Sequence, residues 1–213
     1  MEKGIAIITG ADGGMGQEIT LALAKDGFQI IMACKEPEKA YPVCERIKKE
    51  SGNEQIEVRG IDLSSLSSVH AFAQKILAEG RPVSRLMNNA GVLTTHIRPT
   101  VDGLETIVSV NYVGPYLLTR LLLPLMHKET RIVNTVSCTY AIGKIESDFF
   151  TKGKNGRFNR ISVYGNTKLA LLLFTRELAE RVKERGITVN ASDPGIVSTN
   201  MITMNAWFDP LTD

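Results

Sequence analysis

The chain has 213 residues, of which 43% are hydrophobic and 23% charged, an ordinary globular composition that excludes a disordered or fibrous protein. That length suits one domain spanning 1–213, large enough to bury a substantial core. A formal net charge of +2 with no Lys/Arg cluster excludes nucleic acid as an electrostatic partner. Cys34, Cys44 and Cys138 form no CxxC and have no histidines nearby in a ligand pattern, so they read as reduced, buried thiols, with no disulfide framework and no metal site. The opening MEKGIAIITG enters an apolar run too short for a signal-peptide core, and no later run is long enough to span a bilayer. A cytoplasmic location is expected.

In chain order, short β-like runs alternate with longer helical patterns. GIAIIT (4–9), QIIMAC (29–34), IEVRGID (56–62), RLMNN (85–89), RIVNTV (131–136) and TVNASD (188–193) predict strands. Between them, 15–26, 37–50, 66–79, 104–126 and 162–185 predict helices. This alternation implies parallel strands joined by right-handed helical crossovers that cover both faces of one doubly wound α/β sheet. After the first strand, TGADGGMG forms a glycine-rich turn into a helix. Gly10, Gly14 and Gly16 let the backbone approach a pyrophosphate, which the helix N-terminus then meets with free N–H groups. The other reading is a plain strand-to-helix turn. In the fourth helix, Asp102 with Glu105 three residues on makes a capping box, and Gly114-Pro115 predicts a kink. IESDFFTKGKNGRFNR (145–160) is a surface insertion, read either as an exposed loop or, through Phe149, Phe150 and Phe158, as cover for part of a pocket.

The last helix begins SVYGNTKLALLLF, which places Tyr164 and Lys168 one turn apart on one face. Alone, such a pair is as compatible with surface decoration as with chemistry.

Together these segments resemble the short-chain dehydrogenase/reductase family, over residues 4 to 200. The spacing in TGADGGMG matches that family's cofactor loop, and the other motifs follow in order: Asp62-Leu63 after the third strand, NNAG (88–91), Asn111 in the fourth helix, Ser137 after the fifth strand, Tyr164-x-x-x-Lys168, and DPGIVST (193–199). The resemblance implies a Rossmann sheet in the order 3-2-1-4-5-6 and the catalytic set Asn111, Ser137, Tyr164 and Lys168. It implies a cofactor-binding set of Thr9, Gly10, Asp12, Gly13, Gly14, Met15, Gly16, Cys34, Lys35, Asp62, Leu63, Asn89, Ala90, Gly91, Tyr164, Lys168, Pro194, Gly195, Val197 and Thr199. In that family Asp62 meets the adenine amino group and Thr199 the nicotinamide carboxamide. The second strand's end reads the adenosine ribose. Here Cys34 stands at the usual acidic position and Lys35 where NADP-using relatives carry arginine, so NADP(H) is favoured over NAD(H). Asp12, a carboxylate near the ribose, and Lys35, a point charge rather than a fork, work against that preference.

The implied reaction is hydride exchange between the nicotinamide and an apolar carbonyl or alcohol. Tyr164 is the expected acid/base, its ordinary pKa of ~10 drawn down by the Lys168 ammonium. Ser137 would hold the substrate oxygen, and Asn111 a water that passes protons to Lys168. Ser137 and Tyr164 lie 27 positions apart because of the 145–160 insertion, and with SCTYAIGKI and MACK this resembles the retinol-dehydrogenase-like branch. A small-molecule apolar substrate and a homodimer or homotetramer are therefore expected, with no membrane-spanning segment. The family continues beyond the Pro-Gly segment into a substrate-covering region, a last helix and a seventh strand, whereas only NMITMNAWFDPLTD follows Thr199. That puts the seventh strand in doubt. Trp207 and Phe208 either begin a lid or plug an apolar edge, and the competing reading is an NADP-binding sensor or interaction module without a complete substrate pocket. A third reading is a scaffold that dimerises through the fourth and fifth helices.

Overall fold

A computed structural model describes residues 3–147, 149–150 and 159–195. The strands are β1 (Ile5–Thr9), β2 (Gln29–Cys34), β3 (Ile56–Gly60), β4 (Val83–Asn88), β5 (Arg131–Thr135) and β6 (Thr188–Ser192). They form one parallel sheet in the order β3-β2-β1-β4-β5-β6. The helices that join them are α1 (Gly14–Lys25), α2 (Pro37–Ser51), α3 (Leu66–Glu79), α4 (Thr106–Val108), α5 (Gly114–Leu122) and α6 (Arg160–Val182).

β1 is apolar at nearly every position because both of its faces are covered. Ile5 and Ile7 enter a core with Val69, Phe72 and Ile76 of α3, Leu118 and Leu122 of α5, and Leu171 and Leu178 of α6. Ala6 and Ile8 enter a second core with Ala24 of α1 and Ala40, Cys44 and Ile47 of α2. This two-sided burial is how a doubly wound sheet stabilises its central strands. The chain builds outward through β2 to β3, then α3 returns it to the other side of β1. The crevice lies beyond the carboxyl ends of β1 and β4, where the winding direction switches.

The region between β4 and β5 departs most from expectation. The predicted 104–126 helix is divided into α4, a π-helical turn at Ser109–Val113, α5 and a 3-10 turn at Leu123–Leu125. Pro115 lies in the first turn of α5, directly after the π turn. There Gly114 N–H reaches back to Ser109 O, and the wider winding accommodates a ring that has no N–H to donate. The expected Asp102 cap is not formed. Glu105 caps α4, accepting from Val108 N–H at 3.1 Å, and Asp102 Oδ2 instead accepts from Leu66 N–H at 2.8 Å, serving the start of α3. Glu105 is buried, which raises its pKa against the opposing pull of the backbone N–H groups around it. A buried chain of amides pins the strands beneath the site. Asn88 Nδ2 donates to Thr119 Oγ1 and Asn134 Oδ1, and Asn134 Nδ2 donates to Thr175 Oγ1. Cys34 and Cys44 are buried as expected, but Cys138 is exposed because it opens a 3-10 turn, Cys138–Ile142, at the sheet's rim.

Candidate active site

The glycine turn is a backbone cradle. Gly10 has φ +62°, and a Cβ there would stand 3.1 Å from Ala90 Cα, so the β1 and β4 ends touch through backbone. At Gly16 a Cβ would fall 2.1 Å from Gly10 O and 2.9 Å from Ala11 Cα. Gly13 is the N-cap of α1 and provides no side-chain cap, which leaves the first N–H groups of the helix to the crevice. Gly13 and Gly14 are exposed there, with Asp12 and Met15 half-buried beside them. Thr9 ties the two strand ends together, its Oγ1 accepting from the N–H groups of Asn89 and Ala90, both at 3.0 Å. Asn89 Nδ2 donates to Thr9 O and Gly10 O, while Asn89 Oδ1 is buried with no partner among the described residues. A cradle of bare backbone N–H groups fits a pyrophosphate, and the unsatisfied Asn89 Oδ1 beside it fits a hydroxyl donor such as a dinucleotide's ribose.

At the adenosine end, Cys34 lies buried against Asp12. Burial, and then the Asp12 carboxylate that accepts its S–H, push the thiol up to about 12. Lys35 does not stand free: its Nζ lies 3.1 Å from Asp62 Oδ2. Asp62 also accepts from Ser64 N–H and Oγ–H. Burial opposes ionisation of Asp62, but the Ser64 bonds and the Lys35 ammonium outweigh it and lower the pKa. Leu63 is buried against the π turn, where its carbonyl accepts from Ser109 Oγ and its atoms would meet a Cβ at Gly114.

At the other end, Ser137, Tyr164 and Lys168 converge. Tyr164 is 8% exposed and Lys168 only 2%. The Lys168 Nζ donates to Thr135 O at 2.8 Å and lies over the Tyr164 ring, 5.3 Å from its centroid. Burial brings Lys168 down to about 8, opposed by the Asp193 carboxylate. The expectation that Lys168 lowers the phenol's pKa is not met. Burial pushes Tyr164 up to about 12, against a hydrogen bond from Ser137 that favours the phenolate, with Asp193 and Cys138 adding to the rise. The ammonium faces the ring rather than the hydroxyl, and its own charge is weakened by the same burial.

Asn111 sits in the π turn and is 1% exposed. Its Oδ1 accepts from Val92 N–H at 2.8 Å and its Nδ2 donates to Val92 O at 2.9 Å, so both ends of the amide hold backbone. Gly91 separates it from Lys168: a Cβ there would lie 3.6 Å from Asn111 Oδ1 and 3.7 Å from Lys168 Nζ. The Pro194-Gly195 segment follows β6, with Gly195 at φ +71°. Val197, Thr199, Phe158, Trp207 and Phe208 lie outside the described residues.

Within the insertion, Phe149 is buried and packs with Tyr164, Ile107, Val108 and Val163. Phe149 therefore covers Tyr164, while most of the insertion, residues 148 and 151–158, lies outside the described residues. With Phe150, Tyr112, Tyr116, Leu173 and Phe174, Phe149 lines a cavity of about 370 Å³. Sequence reasoning missed Thr135, Val92 and Asp193. The first two act through backbone, which leaves no residue-type signal, and Asp193 was read only as the end of the sixth strand and the start of the Pro-Gly segment.

Among the described residues no helix is long and apolar enough to cross a membrane, and no cluster of potential metal ligands occurs. Residues 4–207 match the short chain dehydrogenase family. Over 205 residues the chain is 40% identical to retinol dehydrogenase 12 of Mus musculus, covering 95% of this chain and 64% of that protein. An uncharacterized protein from Mycobacterium Paratuberculosis superposes with a TM-score of 0.82 at 33% identity, covering 94% of this chain and 71% of that one. A metagenomic short-chain oxidoreductase in complex with NADP superposes with a TM-score of 0.72 at 25% identity, over 92% of this chain and 84% of that one. The glycine cradle, the Ser137–Tyr164–Lys168 cluster and the match over nearly the whole length agree, and the chain belongs to the short chain dehydrogenase family.

Proposed function

We propose that this chain is an NADP(H)-dependent oxidoreductase domain acting on apolar carbonyls and alcohols, with Tyr164 as general acid/base. The observation that carries this reading is the convergence of a buried phenol, its Ser137 hydrogen-bond partner and a buried ammonium beside a glycine cradle. Bound at the cradle, the pyridine dinucleotide supplies or accepts the hydride. Ser137 orients the substrate oxygen and donates to it as negative charge develops. Tyr164 gives its phenolic proton to that oxygen as the carbonyl carbon gains the hydride, and in the reverse direction takes the proton back. Lys168, fixed on Thr135 O over the face of the Tyr164 ring, keeps a protonated amine beside the pair, from which the phenolate that remains can be reprotonated. Asn111 holds the Gly91–Val92 backbone alongside Lys168.

The preference for NADP(H) rests on Lys35 and on the absence of an acidic side chain at Cys34. Its cost is the Lys35–Asp62 ion pair, which a ribose phosphate must share or displace. The apolar substrate class rests on the likeness to retinol dehydrogenase 12 and on Phe149 of the insertion, which packs in one apolar cluster with Tyr164.

The test is cofactor consumption with a panel of apolar aldehydes and ketones. NADPH is expected to be oxidised faster than NADH at equal concentration. Lys35→Ala is expected to erase most of that preference, by about tenfold for one exposed cation–phosphate contact. Tight NADPH binding without consumption across the panel would favour the sensor-module reading.

A further inference from the structure

We propose that Asn166 is a positioning residue for Ser137, clasping the far end of the 3-10 turn that Ser137 opens onto α6, the helix that carries Tyr164. The inference rests on the reading of Ser137 and Tyr164 as the groups that meet the substrate oxygen, and extends it to what sets their separation.

Ser137 and Tyr164 stand on different elements, so something must fix one against the other. Ser137 is the N-cap of the turn, Cys138–Ile142, and its Oγ accepts from Thr139 N–H at 3.4 Å, which leaves its O–H for the phenol. The turn is tied along its length, with Tyr140 N–H donating to Ser137 O at 2.9 Å and Gly143 N–H to Tyr140 O at 3.0 Å. At its end Lys144 N–H donates to Asn166 Oδ1 at 2.7 Å. The turn that begins at Ser137 is therefore fastened to α6 at the second residue after Tyr164.

The turn lies on the helix through bare backbone. A Cβ at Gly143 would stand 2.5 Å from Gly165 O and 2.9 Å from Leu169 Cβ, and one at Gly165 would stand 2.7 Å from Thr139 O. No side chain of either glycine spaces the two elements, so the direction of the hydroxyl at the head of the turn depends on this seat. Asn166 is 1% exposed. Its oxygen is the atom that faces Lys144, because a backbone N–H needs an acceptor, and its Nδ2 is buried with no partner among the described residues. An unpaired buried donor costs stability, so what this amide contributes is its oxygen on the turn. The helix does not depend on it. Asn159 Oδ1 caps α6 by accepting from Ser162 N–H at 3.1 Å, and Thr167 Oγ1 donates to Tyr164 O at 2.7 Å. Lys144 is exposed, so its N–H, once released, finds water and the end of the turn lifts while the fold stands.

Asn166→Leu keeps the shape of the side chain and removes both the acceptor and the unpaired donor. Amide hydrogen exchange over 138–144 in the cofactor-free protein is expected to accelerate. With NADPH and an apolar aldehyde that the wild type reduces, kcat is expected to fall by about ten- to a hundred-fold, the cost of misplacing a group by ~1 Å, with the KM for NADPH within a few-fold of wild type. The decisive readout is the cycle with Ser137→Ala. Once the hydroxyl is gone its position no longer matters, and adding Asn166→Leu is expected to lower kcat by no more than about twofold. Gly165→Ala reaches the turn by a second route, pressing on Thr139 O while favouring the helix, and carries the test should Asn166→Leu not fold. It is expected to show the same loss and the same dependence on Ser137. Equal fold losses with and without the Ser137 hydroxyl, or unchanged exchange over 138–144 in Asn166→Leu, would overturn the inference and leave Asn166 as a packing residue. No turnover of any aldehyde or ketone by the wild-type chain would remove the oxidoreductase reading, and the inference with it.

Discussion

Tyr164→Phe is expected to lower kcat by roughly 10²–10⁴-fold, the usual worth of a positioned acid/base, while leaving NADPH affinity within a few-fold of wild type. The two effects separate because the ring and the hydroxyl do different work. The ring packs with Ile107, Val108, Phe149 and Val163, and phenylalanine keeps all of that surface. The Lys168 ammonium still finds an aromatic face beneath it and still donates to Thr135 O. Only the proton on oxygen and the bond to Ser137 disappear. The cradle at Gly10, Gly13 and Gly16 is built on other elements and does not sense the change. Residual turnover should lose the pH dependence that belongs to the phenol. Stopped-flow cofactor binding and steady-state rates on the same preparation check both halves. Turnover near wild type in this variant is incompatible with the assigned role.

Gly16→Ala should act in the opposite manner, weakening binding rather than chemistry. The added carbon would sit 2.1 Å from Gly10 O and 2.9 Å from both Ala11 Cα and Gly10 C. These are backbone atoms, so no side chain can swing aside and the turn itself must open. Overpacking of this kind costs about 1–3 kcal/mol, which predicts NADPH binding weaker by roughly ten- to a hundred-fold and a lower melting temperature. Gly13→Ala is the control for stability. Its Cβ would lie 3.4 Å from Gly10 O, an ordinary contact, and its φ of −78° suits any residue. A Gly16→Ala protein with wild-type binding and stability would mean that the turn is not the rigid cradle described.

Much of the fold was legible because β1, with Ile5, Ile7 and Ile8, is apolar on both faces, and because glycine at Gly10 and Gly16 marks contacts that only bare backbone can make. The helix around Asn111 was less legible. A π turn carries no residue-type signature, and Asp102 satisfies a capping spacing locally while its carboxylate is used by Leu66, far away in sequence. Within the site, residue types identified the Tyr164–Lys168 pair, but spacing alone could not say whether the ammonium faces the hydroxyl or the ring. Burial therefore decided the phenol's ionisation in a direction that counting charges did not anticipate. Lys35 shows the same limit at the other end. Its identity suggested a phosphate contact, whereas its present partner, Asp62, depends on how the β2 and β3 ends align.

The central claim is that the Ser137–Tyr164–Lys168 cluster moves a proton in step with hydride transfer at a neighbouring carbonyl. The most direct measurement is a single turnover with NADPH doubly deuterated at the nicotinamide C4 and an apolar aldehyde, followed by analysis of the product. Deuterium on the carbinol carbon with the wild-type chain, and its loss with Tyr164→Phe at unchanged cofactor occupancy, is the predicted result. Stoichiometric binding of the labelled cofactor with no transfer to any aldehyde or ketone would contradict the account.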